Sequence, residues 1–233
     1  MNKKIVITGG NGRFAKVLKL ENTKLDIFYP DKKKLNILKV NSIKNYLKKI
    51  KPRYLIHAAG LSRPMNIHDK IISRSIDLNI MGTCNIVKIC SDLKIKLIYF
   101  STGYVYEGKT GNYKENSPVL PINNYAWSKL GGECAVTMYK NSLILRIIMC
   151  EKPFIHKFAF HDIKSNFIFH EEVAKIIPKI LDKKGILNIG GKIQSIYSFA
   201  QKHNSNVKKK SGKKLFPKNP SMNINNLKKI IHK

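Results

Sequence analysis

Three reactive side chains make chemical sense together only if the fold brings them to one place. Tyr125 and Lys129 lie four residues apart in a stretch with a helical pattern, so the phenol and the ammonium share one helix face. Thr102 follows the apolar run 96–100, which we predict to be a buried strand ending at the Thr102 hydroxyl. A lysine cation beside a tyrosine favours the phenolate, so Tyr125 could exchange a proton near neutral pH while Thr102 orients a substrate oxygen. We therefore predict that Thr102, Tyr125 and Lys129 are catalytic.

A glycine-rich turn near the N-terminus predicts a binding site for a dinucleotide. The apolar residues 4–7 form a predicted strand, and helix-like spacing resumes after residue 14. Glycines let the backbone come close to a pyrophosphate, whose charge is met by the N–H groups at the start of the next helix. The alternative is a plain glycine turn. The residues that we expect to contact the cofactor here are Gly9, Gly10, Asn11, Gly12, Arg13 and Phe14.

Charged residues about 20 positions after the glycines bear on which nicotinamide cofactor binds. Asp31 occupies the position at which a carboxylate commonly pairs with the adenosine ribose, which favours NAD(H). Lys32 begins a run of three lysines, which favours the 2′-phosphate of NADP(H). A solvated loop of charges is a third interpretation. We expect NADP(H), with NAD(H) as the alternative, and we expect both Asp31 and Lys32 to contact the cofactor.

These motifs together resemble the extended short-chain dehydrogenase/reductase family, in particular its dTDP-4-dehydrorhamnose reductase branch. The resemblance rests on residues 101–108 (STGYVYEG), 124–133 (NYAWSKLGGE) and 185–191 (GILNIGG). It implies that Lys129 holds the nicotinamide ribose beside Tyr125, and that Asn79 bends its helix and supports a proton path towards Lys129. It also implies that the dinucleotide is lined by Ala58, Ala59 and Gly60.

The order of predicted elements indicates an α/β fold with a doubly wound parallel sheet of the Rossmann type. Apolar strands alternate with helical stretches over the first 150 or so residues, including one long helix from about residue 68 to 93. Members of the family carry a long sugar-binding insertion after the strand that we place at 143–149, and this chain has only a short segment there. We predict a dinucleotide-binding domain at 1–150 and a small, reduced substrate lobe with the C-terminal segment at 151–233.

The resemblance implies reduction of a keto-sugar attached to a nucleotide, so we expect a nucleotide sugar as substrate. Two alternatives remain open. One is an NAD-dependent nucleotide-sugar epimerase, in which tightly held cofactor takes and returns the hydride. The other is a non-catalytic regulatory or binding subunit, which the shortened lobe favours. The family also implies a homodimer formed by the helix near Asn79 and the helix that begins at Tyr125.

Composition sets further bounds on partners and location. The 233 residues include 44 Lys and Arg against 14 Asp and Glu, a net charge of +30. Because the lysines are scattered and accompanied by many Asn and Ile, we do not expect nucleic acid as the partner. The four cysteines show no metal-ligand spacing, so we predict buried free thiols and no metal site. No apolar run could span a bilayer or act as a signal sequence, and we expect a cytoplasmic protein without a membrane partner.

Overall fold

The computed structural model describes residues 3–212 and 217–232 and contains a central six-stranded parallel sheet. The strands, in chain order, are β1 Ile5–Thr8, β2 Ile27–Phe28, β3 Tyr54–His57, β4 Lys96–Thr102, β5 Ser142–Ile147, β6 Met149–Cys150, β7 Phe158–Phe160, β8 Lys164–Ser165, β9 Ile168–Phe169, β10 Gly185–Ile189, β11 Gln194–Ser195 and β12 Lys208–Lys210. The α-helices are α1 Arg13–Glu21, α2 Val40–Ile50, α3 Ile67–Lys70, α4 Ile72–Ser75, α5 Gly82–Asp92, α6 Asn124–Thr137, α7 His170–Ile180, α8 Ile196–Gln201 and α9 Asn225–Ile231. A π-helical turn, Ile76–Met81, and a 3₁₀ turn, Gly103–Val105, complete the list.

The strand order confirms the predicted doubly wound α/β fold. The sheet runs β2-β1-β3-β4-β5-β10, with every neighbouring pair parallel. The chain leaves β1 towards β2 on one side and then returns to β3 on the other. A crevice therefore opens beyond the carboxyl ends of β1 and β3, where ligands bind in sheets of this kind.

Helices cover both faces of the sheet, and the alternation of side chains along β1 shows why. Ile5 and Ile7 pack in a core with α1, α7 and α9, whereas Val6 packs in a second core with α2, α5 and α6. All four residues of β1 and all seven of β4 are buried. Strands buried on both faces read as continuous apolar runs, which is why the sequence located them.

The second half of the chain contributes both to the main sheet and to a small separate core. Helix α7 packs against α1, and β10 is the sixth strand of the main sheet, paired with β5. What remains of the lobe is a small core of its own, built around Phe154, Phe169 and Phe199. Two-stranded ribbons surround it, β7 with β12 and β8 with β11.

Two predictions need correction, one about the long helix and one about the burial of the cysteines. The long helix expected over 68–93 consists of α3, α4, the π-helical turn and α5, with a break at Ile71. All four cysteines are free, but Cys134 is exposed and Cys84 is partly exposed, because they lie on the outer sides of α6 and α5. Among the described residues, no helix has the length and apolar character needed to cross a membrane.

A buried ion pair joins α6 to the sheet. Arg146 on β5 donates to Glu133 on α6 over 2.9 Å between Nη2 and Oε2, and the two side chains are only 5% and 4% exposed. Ser101 of β4 donates to the same carboxylate, and Arg146 also donates to the Tyr106 hydroxyl over 2.9 Å. The charges are thus paired and surrounded by hydrogen bonds, as burial of an ion pair requires.

We predict that Glu133→Gln and Arg146→Met each lower the free energy of unfolding by roughly 3–5 kcal/mol, since each leaves a buried charge without its partner. The double variant should lose less than the sum of the two. Urea unfolding measures these values, with Glu21→Gln as the control because Glu21 pairs with the exposed Lys175. Single-variant losses below about 1 kcal/mol, the range of a surface pair, would contradict the prediction.

Candidate active site

The glycine turn lies at the crevice between β1 and β3. Gly9 has a φ of +73°, a conformation that side chains disfavour, and a Cβ there would lie 3.1 Å from Ala59 Cα. A Cβ on Gly10 would lie 2.4 Å from the carbonyl carbon of Tyr29, so the turn packs directly on the end of β2. Gly12 is the residue that precedes α1, and its N–H donates to the Gly9 carbonyl over 2.7 Å. The turn therefore presents the start of α1 to the crevice, as a pyrophosphate site requires.

The other predicted cofactor residues surround this turn. Ala58 and Ala59 are partly exposed and Gly60 is exposed at the end of β3, so they form the floor of the crevice. The Ala59 N–H donates to Thr8 Oγ1 over 3.0 Å, which fixes β3 against β1 at this point. These small residues leave room for a ligand that crosses the strand ends.

Asp31 and Lys32 lie just beyond β2, beside the glycine turn. Gly10 N–H donates to the Pro30 carbonyl over 3.1 Å, which places the following Asp31 next to the turn. One Asp31 oxygen accepts a hydrogen bond from the Lys34 N–H over 2.9 Å, and Lys32 is exposed. Both residues thus lie beside the glycine turn, and their contact with a cofactor stays a prediction.

The structure brings together the three predicted catalytic residues. Thr102 is the last residue of β4, and Tyr125 and Lys129 lie one turn apart on α6. Asn123 caps this helix by accepting from the Ala126 N–H over 2.8 Å, which fixes the turn that carries Tyr125. The Thr102 hydroxyl lies close enough to the Tyr125 phenol to lower its pKa.

The phenol of Tyr125 is protonated at neutral pH. Burial raises its pKa to about 12, against the opposing effects of the Thr102 hydroxyl and of the charges of Arg63 and Arg13. We expected Lys129 to be the cation that favours the phenolate. In the structure the Lys129 ammonium instead lies over the ring of Tyr99, with Nζ 4.1 Å from the ring centroid.

Lys129 is a buried cation whose charge is poorly compensated. It is 7% exposed, and burial lowers its pKa from the ordinary 10.5 to about 7, although Glu133 one turn away acts in the opposite direction. Its charge also lowers the pKa of His57, which burial already depresses, to about 3. His57 is 1% exposed and hydrogen-bonds to Thr8 and Thr83, so it is a packed core residue.

Asn79 lies in the π-helical turn, and its side chain is fully engaged. Its amide donates to the Leu61 carbonyl over 2.9 Å and to Ser128 Oγ over 2.8 Å, while its oxygen accepts from the Leu61 N–H over 2.7 Å. A π-helical turn inserted in a helix often marks a functional position. Asn79 thus joins the end of β3 to α6 beside Lys129, and its role near the cofactor stays a prediction.

Four residues of this site were not predicted from the sequence, since each belongs to a loop or a short helix: Arg63, His68, Tyr104 and Glu151. Glu151 lies beside Arg13, which was predicted at the glycine turn. Arg13 Nη1 and Arg63 Nη1 both lie 3.0 Å from Oε1 of Glu151. The ring of His68 lies 5.1 Å from that of Tyr125, centroid to centroid. The pKa of Tyr104 is raised to about 12 by burial and by Tyr125, with Arg63 opposing.

The match to a family model decides the family. The model of the RmlD substrate binding domain matches residues 3–150, which contain the glycine turn and all three predicted catalytic residues. The chain belongs to this family.

Two curated proteins are similar to parts of this chain. Methionine adenosyltransferase 2 subunit beta of Xenopus laevis is 32% identical over 114 residues, covering 48% of this chain and 34% of that protein. The dTDP-4-dehydrorhamnose reductase of Aggregatibacter actinomycetemcomitans is 26% identical over 148 residues, covering 61% of this chain and 50% of the reductase. The matched part of the chain thus spans between about a third and a half of the length of these relatives.

Solved structures agree on the fold. The crystal structure of dTDP-4-dehydrorhamnose reductase from Bacillus anthracis in complex with NADP superposes with a TM-score of 0.87 at 24% identity, covering 98% of this chain and 92% of that one. At this identity the likeness establishes the RmlD-type fold over nearly the whole chain.

We predict that Lys129→Met stabilises the protein at pH 7 by roughly 1–3 kcal/mol, because it removes a buried charge while keeping a similar shape. The pKa of Lys129 in the folded protein, about 7, lies below the ordinary 10.5, so between these values the unfolded chain binds the extra proton. The destabilisation is therefore full below about pH 7 and fades as the pH rises towards 10.5.

Thermal unfolding from pH 6 to 9 should accordingly show that Lys129→Met is more stable than the unmodified protein, and that this difference in stability shrinks as the pH rises. Lys88→Met is the matched control, since Lys88 is an exposed lysine on the neighbouring helix α5. An equal gain for both variants, or a loss for Lys129→Met at pH 6, would refute the assignment of Lys129 as a strained buried cation.

Proposed function

We propose that the protein reduces the keto group of a nucleotide-linked sugar, with NADP(H) as cofactor and NAD(H) as the alternative. The observation that carries this proposal is the convergence of Thr102, Tyr125 and Lys129 at the carboxyl edge of a doubly wound sheet, next to a glycine turn. The reductase with 26% identity and the NADP complex of a similar fold support it.

The residues present fit a nicotinamide dinucleotide. The turn of Gly9, Gly10 and Gly12 leaves no side chain between the backbone and the crevice, so a pyrophosphate could approach the N–H groups that open α1. Ala58 to Gly60 would line the middle of the cofactor, and Asp31 with Lys32 would meet its adenosine end. Lys129, a buried cation, would hold the nicotinamide ribose.

The proposed roles of the catalytic residues follow from their protonation. A bound reduced nicotinamide would supply the hydride. Tyr125 would donate a proton to the carbonyl oxygen, because with a pKa near 12 it carries that proton at pH 7. Thr102 would hold the same oxygen through its hydroxyl. Arg63 and Arg13 would favour the phenolate that remains.

A second candidate function is that of a non-catalytic subunit of another enzyme. The Xenopus relative with 32% identity is named a subunit of methionine adenosyltransferase, and the lobe beyond Glu151 is small. The intact catalytic set favours the reductase. An epimerase would use the same residues but would release no oxidised cofactor.

Tyr125→Phe should leave the fold and cofactor binding intact while turnover of a 4-keto nucleotide sugar falls by roughly 10²- to 10⁴-fold, because only the proton donor is removed. NADPH oxidation followed by absorbance measures this. Tyr139→Phe is a matched control, since the Tyr139 hydroxyl bonds the carbonyls of Cys90 and Ile95 away from the site. Tight NADP(H) binding without turnover by the unmodified protein would favour the subunit instead.

Gly12→Asp should abolish cofactor binding, because it places a carboxylate against the pyrophosphate. Isothermal titration of NADPH and NADH at one salt concentration measures this and the cofactor preference together. We expect NADPH to bind more tightly through Lys32. Unchanged affinity in a folded Gly12→Asp protein would exclude this turn as the site, and tighter NADH binding would show that Asp31 dominates.

We also propose a homodimer formed by the π-helical turn and α6. Met81 and Trp127 are 51% exposed on these elements, and Ile76 is 44% exposed. Apolar side chains on adjacent elements form a surface that a second copy could cover. Sedimentation at micromolar concentration should show a dimer that Trp127→Glu dissociates, and a monomeric unmodified protein would remove the proposal.

A further inference from the structure

Glu151 bridges two arginines across the mouth of the candidate active site. Arg13 comes from the first turn of α1, Arg63 from the loop after β3, and Glu151 directly follows β6. Arg63 Nη1 lies 3.0 and 3.1 Å from the two Glu151 oxygens, and Arg13 Nη1 lies 3.0 Å from Oε1. Arg13 also donates to Ser62 Oγ over 3.3 Å. One carboxylate thus joins the start of α1 to two loops at the carboxyl edge of the sheet.

The two guanidinium groups form a site suited to an oxyanion with several oxygens. Guanidinium groups bind phosphate as readily as carboxylate, through paired N–H donors. Both arginines lie beside the crevice of the glycine turn, and their charges act on Tyr125 at its reacting end. An anionic ligand in this crevice therefore meets the same donors that Glu151 occupies.

The carboxylate itself is held in its charged form. Partial burial raises the pKa of Glu151, but the N–H of its own backbone and the charges of Arg63, Arg13 and His170 outweigh this and hold the pKa below its usual range. Glu151 is 21% exposed, so its attraction to the arginines is only partly weakened by solvent.

We propose that Glu151 is a built-in competitor for the diphosphate of a nucleotide ligand, which binds Arg13 and Arg63 by displacing the Glu151 carboxylate. The inference rests on the proposed function for the nucleotide nature of the ligand. Displacement also frees the segment that starts at Glu151 and leads to Phe154 in the core of the lobe. Binding of the ligand and the position of the reduced lobe are thereby coupled.

The test measures the affinity of three probes, NADP⁺, dTDP and inorganic pyrophosphate, by isothermal titration at fixed salt and pH. Glu151→Gln should tighten binding of the probe that occupies this site about 3- to 10-fold, since the two arginines no longer have to be released from a carboxylate before they bind the anion. Arg63→Gln should weaken binding by a similar factor. Asp182→Asn is the matched control, because Asp182 is likewise paired with an arginine, Arg53, but beside the amino end of β3.

The background without arginines gives the decisive comparison. In an Arg13→Gln/Arg63→Gln protein, Glu151→Gln should change the affinity by less than twofold, because the competition no longer exists. A response of NADP⁺ alone assigns the arginines to the cofactor, and a response of dTDP alone assigns them to the substrate. Failure of both nucleotides to bind would contradict the proposed function. Binding of pyrophosphate would in that case still test whether Glu151 competes with an anion for the two arginines.

Unchanged or weaker binding of every probe to Glu151→Gln, or an equal gain in the arginine-free background, would overturn the proposal. Thermal unfolding of each variant shows whether it is folded. The single substitution Glu151→Ala gives a second carboxylate-free protein for comparison.

Discussion

The buried pair of Glu133 and Arg146 is the constraint on which the geometry of the site depends. Two charges that are almost fully enclosed are stable only when each has its partner and further hydrogen bonds. Here Ser101, Tyr106 and the backbone carbonyl of Glu115 complete the set. Because Arg146 belongs to β5 and Glu133 to α6, the pair fixes the rotation of α6 about its axis and its height above the sheet. That rotation decides where Lys129 and Tyr125, one and two turns earlier, point.

The same pair explains the unusual state of Lys129. Glu133 lies one turn from Lys129 and would be its natural partner on the helix. The Glu133 carboxylate instead faces Arg146, and the lysine is left with the Tyr99 ring and a pKa near 7. An anionic or hydroxyl-rich ligand would stabilise such a cation more than it would stabilise a cation that already has a carboxylate partner. The fold therefore keeps a destabilised charge on α6, at the position where we propose that the ribose of a cofactor binds.

The sequence predicted best those parts of the structure that depend on local pattern. The glycine turn, the buried strands β1 and β4 and the helix that carries Tyr125 all follow from spacing and residue type, and the structure brings Thr102, Tyr125 and Lys129 together. The resemblance implied that Asn79 bends its helix, but the apolar periodicity alone predicted one long helix. The π-helical turn at this point could not be read from that periodicity, because the partners of Asn79, Leu61 and Ser128, lie on other segments of the chain.

The bridge between Glu151 and the two arginines could not be predicted from the sequence for a related reason. Arg13, Arg63 and Glu151 are separated by 50 and 88 positions, and only the closure of the parallel sheet brings their loops to one edge. The packing of α7 and β10 against the main sheet could not be predicted from the sequence either, because it depends on contacts with α1 and β5, which are distant in the chain.

The architecture separates the proposed chemistry from the recognition of a substrate. Thr102, Tyr125, Lys129 and the glycine turn all lie within residues 3–150, the part that matches the family model, and they are fixed by the main sheet and α6. The small lobe contributes its own core and is linked to that edge through Glu151. The groups that would move the proton in the proposed reaction are therefore positioned independently of the small lobe. A change confined to the lobe would alter which molecule is held and would leave the sheet edge that carries Thr102, Tyr125 and Lys129 in place.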